Sequence, residues 1–221
     1  MVELIALTGG GHLAEFRFAE QPGKASQNVL WEAPWETSDL ASPRFEQLSA
    51  IYGSSETSKF LASYTGHALC LDYFGLPSGE DAAQGLALHG ESAVAIWNVT
   101  CPVDTNGAGC QWNVRLPVAQ LEFERKIRLG HQESVAYIEE SVSNQRSSDH
   151  AYHWVQHATF GPPFFNAGES TLAVSAQRGI TSPFGYEGCS LLASGQEFFW
   201  PHGPLETAYG FADLGNLCTG A

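Results

Sequence analysis

The stretch Leu121–Leu129 limits the fold of this chain more than any other. Read as a strand, it sets Leu121, Phe123, Ile127 and Leu129 on one side and Glu122, Glu124, Lys126 and Arg128 on the other. A strand with one apolar and one wet face belongs to an antiparallel sheet. Arg125 falls on the apolar side, so it must be paired there or line a cavity. Shorter runs of the same kind recur along the chain. Val2–Leu7 and His12–Phe18 flank a run of glycines, Gly9 to Gly11, and form a predicted hairpin. Val29–Trp31, Thr65–Leu71, Ser134–Val142, Leu172–Ser175 and Phe198–Trp200 read as further strands. Ser42-Pro43, followed by Phe45, Leu48, Ile51 and Tyr52 at helical spacing up to Gly53, marks the one clear helix. The polar run from Gly53 to Lys59 and the Gly- and Pro-rich run from Asp72 to Gly79 read as loops; the second carries two aromatics and is either a pocket wall or an ordinary connection. After Trp200-Pro201 no strand signal follows, so the chain reads as stopping before its fold does. The expectation is an all-β, antiparallel sandwich or barrel in a single domain over residues 1–221, with its C-terminal part missing.

Charge narrows the partners. The net charge is −14, with ten Lys and Arg in total and no basic run, which speaks against nucleic acid and against an anionic membrane surface. No stretch approaches the ~20 apolar residues of a membrane span. The N-terminus lacks the basic and apolar regions of a secretory signal. The five cysteines, Cys70, Cys101, Cys110, Cys189 and Cys218, form no Cys-x-x-Cys pair and are odd in number. Both facts predict reduced thiols and a cytoplasmic location.

The chemistry concentrates in Tyr152–Phe165, which is rich in aromatics, carries His153 and His157, and runs into Gly161-Pro162-Pro163. As a strand it places His153, Val155, His157 and Thr159 on one face and Tyr152, Trp154, Gln156 and Phe160 on the other. Two readings are open for each histidine: a ring buried in the core, donating to a backbone carbonyl, or a ring at the mouth of a pocket. A shared metal ion is disfavoured. The two histidines would lie roughly 13 Å apart on a strand, and Trp154 stands where a zinc-protease helix needs Glu. A cupin-type metal enzyme therefore ranks below the other readings, and no cofactor is expected. There is no Gly-x-Ser-x-Gly elbow, and Glu139-Glu140 point to opposite faces of a strand. Histidine acid–base chemistry remains, since an imidazole exchanges protons near neutral pH without tuning.

Two motifs resemble those of the aldose 1-epimerase (galactose mutarotase) family. Leu88-His89-Gly90 with Trp97 downstream is similar to that family's Leu-His-Gly-Gly and its following Trp. Gln156-His157-Ala158-Thr159-Phe160 is similar to its Asn-His-x-Tyr-Phe-Asn. Gly9–Ala14 resembles the first hairpin, and the order and separation of the motifs agree. The resemblance implies an antiparallel β supersandwich larger than this chain, and an enzyme that opens an aldose hemiacetal and recloses it on the other face. It implies His157 as the acid for the ring oxygen, with His89 hydrogen-bonding the sugar and stabilising the open form. The family's C-terminal glutamate base, and the aspartate before it, have no counterpart here.

Gly90-Glu91 replaces Gly-Gly, Phe160-Gly-Pro-Pro replaces Tyr-Phe-Asn, and Asp72–Pro77 replaces an arginine motif. These departures mark a divergent branch and admit a member that binds sugar without turning it over. A monosaccharide or sugar derivative is the expected partner. Sugar sites combine aromatic faces with a few convergent polar groups. Trp97, Phe160, Tyr73 and Trp35 are candidates for the faces; Asp72, Glu91 and His153 are candidates for the hydroxyls. Glu91 is also the candidate stand-in for the missing base. Each aromatic has core packing as its alternative role.

Overall fold

The computed structural model describes residues 1–19, 26–101, 109–130, 132–166, 168–183, 191–206 and 210–215. They form two compact units, residues 1–164 and 165–221. The larger unit holds two four-stranded antiparallel sheets. One has β1 (Val2–Ala6), β2 (Leu13–Phe18), β3 (His67–Asp72) and β8 (His153–Ala158) in that order. The other has β4 (Asn98–Thr100), β5 (Gly109–Leu116), β6 (Leu121–Leu129) and β7 (Ala136–Asn144). The smaller unit has two two-stranded ribbons. In one, β9 (Arg178–Ile180) pairs with β10 (Glu197–Phe199); in the other, β11 (His202–Pro204) pairs with β12 (Phe211–Asp213). The fold is mostly β and antiparallel, as expected, and its larger unit is a sandwich.

Alternation makes the sandwich. The inward residues of β5 and β6 are Trp112, Val114 and Leu116, and Leu121, Phe123, Arg125 and Ile127; all are buried. They pack against Leu13, Leu69 and Leu71 of the opposite sheet, with Leu30 and Trp97 completing the core. β3 differs from the rest: its first five residues are all buried. Its inner face meets that core, and its outer face lies under a second layer in which Phe60, Tyr64 and Ala93 pack on Ala68.

That layer is where the sequence reading was incomplete. The expected helix is there as α1 (Phe45–Tyr52), ending at Gly53 with φ 92, but Arg44 occupies the cap position rather than Ser42. The run read as a loop enters α2 (Glu56–Ser63), started by Ser55, whose hydroxyl accepts the Ser58 N–H. α3 (Gly79–Ala83) starts with a capping box between Ser78 and Asp81. Serine-rich segments look like loops by composition, yet Ser is also the residue that satisfies the orphan donors of a helix start. Val29–Trp31 contributes only the isolated Leu30–Phe160 bridge, and β9 replaces the strand expected at Leu172–Ser175. β11 and β12 lie beyond Pro201, where no strand was expected.

Cys101 and Cys110 form a disulfide across the β4–β5 hairpin, which corrects the expectation of reduced thiols for these two. Cys70 is a buried free thiol, and Cys189 and Cys218 lie outside the described residues. Among the described residues, no helix is long and apolar enough to cross a membrane.

Arg125 is 1% exposed, and its pairing matches what its place on the apolar face required. Its Nε donates to Glu140 at 2.7 Å, Nη1 donates to the Gly11 carbonyl at 2.7 Å, and the guanidinium lies 5.0 Å from the Trp97 ring centre. Glu140→Ala would leave this charge buried without its counter-ion and is expected to lower stability by about 3–5 kcal/mol in urea unfolding. Glu139→Ala, which removes an exposed partner of Lys126, is expected to change it by no more than about 1 kcal/mol.

Candidate functional site

β3 and β8 set the site's frame. Ala68 stands opposite His157, Cys70 opposite Val155 and Asp72 opposite His153, so these six share the outer face of the sheet. His157 is half-buried there, beneath the layer carried by α2. His89 reaches it from that layer, on the segment between α3 and a short 3-10 turn at Glu91–Ala93. The two ring centres are 5.2 Å apart.

The local geometry explains the Leu-His-Gly order. His89 has φ 66, a conformation a non-glycine residue adopts only when its surroundings impose it. Its N–H donates to the Gly75 carbonyl at 3.1 Å, and the Gly75 N–H donates back to His89 Nδ1 at 3.2 Å. Gly90 has φ 96 and passes so close to β3 that a Cβ would sit 2.4 Å from the Leu71 carbonyl oxygen. Only glycine fits there.

Aromatics line the pair. Phe74 stacks on His89 with centres 4.9 Å apart and is 6.2 Å from His157. Phe60 meets His89 edge-on at 5.4 Å. The Tyr64 hydroxyl lies 3.0 Å from His157 Nδ1 and is also hydrogen-bonded to the Thr159 hydroxyl. Burial and the neighbouring His157 push the pKa of His89 down to about 4, so the ring is neutral at pH 7. The Gly75 N–H occupies its Nδ1 lone pair, which places the proton on Nε2. His89 therefore offers an N–H donor. Burial raises the pKa of Tyr64, which keeps it a phenol.

The remaining candidates scatter. Trp97 is 2% exposed, donates from Nε1 to the Ser92 carbonyl at 3.0 Å and packs edge-on against Phe123. It is core, and not a face for a ligand. One Glu91 carboxylate oxygen accepts the Val118 and Ala119 N–H groups, each at 3.1 Å, which fixes it on the turn between β5 and β6. It is placed as a turn anchor rather than as a base. Asp72, with φ 70, pairs with His150 at 2.6 Å. Exposed His153 sits beside it, about 13 Å along the strand from His157. Phe160 is 50% exposed and makes no ring contact with either histidine. The Tyr73 hydroxyl donates to the Leu76 carbonyl, and its neighbour Phe74 is the aromatic of that loop that reaches the histidines. Trp35 reaches them only indirectly, through Trp31 and then Tyr64.

Sequence reasoning named both histidines and offered the Asp72–Gly79 loop as a pocket wall, which Phe74 and Gly75 bear out, and it missed Tyr64 and His150. Thr159 was placed on the right face without a role. No spacing signal points to Tyr64, because it closes a helix that composition conceals. Among the described residues, no three His, Cys, Asp or Glu side chains cluster as metal ligands. A cavity of about 470 Å³ lies elsewhere, lined by Leu4, Ile5, Val99, Trp112, Ile127 and Leu129 among others.

Two further histidines are buried behind the site. His12 is fully enclosed, 6.2 Å from the rings of Phe60 and Tyr64, with no hydrogen-bond partner for either nitrogen among the described residues. His67 bonds to Gln156 at 2.7 Å. Burial above all pushes both pKa values down to about 4. In the unfolded chain they titrate near 6.5, so the unfolded state binds more protons between about pH 6.5 and 4. Their stabilising contribution is complete above that window and is lost as pH falls through it, by roughly 1.4 kcal/mol per pH unit for each ring. His12→Leu should make the dependence of unfolding free energy on pH shallower by one ring's worth, read from urea titrations across the window.

Comparison with protein-family models, with curated proteins and with solved structures finds no match.

Proposed function

We propose that this chain is an aldose 1-epimerase-like isomerase that uses His157 and His89 to open and reclose the hemiacetal of a monosaccharide. The observation that carries the reading is the convergence of two half-buried imidazoles, far apart in sequence, with ring centres 5.2 Å apart over Phe74. In the proposed reaction His157, as imidazolium, gives a proton to the ring oxygen while the bond from that oxygen to the anomeric carbon breaks. The anomeric hydroxyl becomes a carbonyl and releases its proton to water. The Nε2–H of neutral His89 donates to a sugar oxygen and stabilises the open form. Rotation about the bond to the adjacent carbon and the reverse steps give the other anomer. The family's larger supersandwich is part of the same proposal.

One observation favours a second reading, a carbohydrate-binding domain without turnover. Glu91, the candidate base, is committed to the Val118 and Ala119 N–H groups. The cytoplasmic location read from the sequence belongs with the first reading, whereas the Cys101–Cys110 disulfide favours an oxidising compartment.

NMR exchange spectroscopy on a panel of aldoses separates the readings. The expected result is accelerated anomer exchange with at least one sugar, reduced roughly 100-fold or more in His157→Ala. Saturable binding without acceleration selects the second reading. Neither binding nor acceleration, or equal acceleration by the variant, overturns the first.

A further inference from the structure

We propose that Tyr64, the middle member of a hydroxyl relay with Thr159, donates to Nδ1 and so fixes the neutral His157 ring with its proton on Nε2. The relay's use in turnover rests on the reaction proposed above, but the tautomer is a property of the free protein.

Three groups meet at one point. The Tyr64 hydroxyl lies 3.0 Å from His157 Nδ1, and Thr159 Oγ1 bonds to that hydroxyl and stands 3.5 Å from the same nitrogen. Tyr64 is 8% exposed, and its hydroxyl is held by these two partners. Two orders of donation are possible. In one, Thr159 donates to Tyr64, and Tyr64 donates to the Nδ1 lone pair. In the other, Nδ1–H donates to Tyr64, and Tyr64 donates to Thr159. The first matches the strongest acid of the three, the phenol, with the strongest base, the imidazole. It also uses every proton. The second leaves the hydroxyl proton of half-buried Thr159 with no acceptor among the described residues.

The first order puts the His157 proton on Nε2. His89 has its proton on Nε2 as well, because the Gly75 N–H holds its Nδ1. Neither Nε2 has a hydrogen-bond partner among the described residues. The site thus presents two adjacent N–H donors, which suit oxygen acceptors such as a sugar ring oxygen, a carbonyl or a carboxylate, and disfavour a ligand that offers only donors. When His157 gains a second proton at Nδ1, the relay reverses: Nδ1–H donates to Tyr64 and Tyr64 donates to Thr159. Hydroxyl rotation accommodates both protonation states. Tyr64 is the positioning residue, and Thr159 is the hydrogen-bond partner that lets its hydroxyl turn.

The test uses the full chain with ¹⁵N-labelled histidine, without sugar, in long-range ¹H–¹⁵N correlation spectra at about pH 8, above the usual imidazole titration. His157 is assigned by its absence in His157→Gln. The expected wild-type pattern has Nδ1 unprotonated and Nε2 protonated. Tyr64→Phe should move His157 toward the other tautomer or an average of the two, and Thr159→Val should leave it unchanged, with the His89 pattern constant as the check on folding. A wild-type proton on Nδ1 overturns the proposal, as does a Tyr64→Phe spectrum identical to wild type or a tautomer reversed by Thr159→Val. The wild-type spectrum decides even if Tyr64→Phe does not fold. Absence of anomer exchange would leave this result standing and would count against the proposed reaction alone.

Discussion

A buried arginine holds the larger unit together. Arg125 belongs to β6, its carboxylate partner Glu140 to β7, and its second acceptor, Gly11, to the β1–β2 hairpin of the opposite sheet. Gln156 of β8 also donates to Glu140 and accepts from His67 of β3. One polar chain therefore links four strands, β3, β6, β7 and β8, and a hairpin across the two sheets. A buried charge is tolerated only when paired and hydrogen-bonded, so this network specifies where the sheets must sit more than it adds net stability. The Trp97 ring under the guanidinium belongs to the same device.

The site depends on that network. Gln156 faces the core network while its neighbour His157 faces the outer layer, as strand alternation requires. Fixing Gln156 fixes His157. The outer layer then brings His89 to it through one backbone and one side-chain hydrogen bond with Gly75 and a glycine that lets the chain press against β3. The positive-φ residues His89 and Asp72 lie beside β3 and β8, where surrounding structure can sustain the strain.

The electrostatics follow from the same enclosure. Four histidines, His12, His67, His89 and His157, lie in or under one layer. Three of them are held neutral because burial disfavours a charge that the nearby Arg125 or another histidine would repel. A net charge of −14 is thus compatible with a buried Arg125 and buried histidines, since acidic residues such as Glu124 of β6 and Glu139 of β7 lie on exposed strand faces.

By itself the sequence determined the strand periodicity, the antiparallel class and the pairing demanded of Arg125, because a period of two and the aversion of charge to apolar surroundings are local rules; the two histidines that meet were named only by the resemblance of their motifs. The tertiary structure decided which polar residues accompany them. Trp97 and Glu91 have the composition of a sugar site, yet burial in the core claimed one and two backbone N–H groups claimed the other. Tyr64 arrives from a capped helix whose serine content conceals it, and the fold decides that Phe74, rather than its neighbour Tyr73, reaches the histidines. Proximity across a folded sheet is a sum over the whole chain, and no window of sequence contains it.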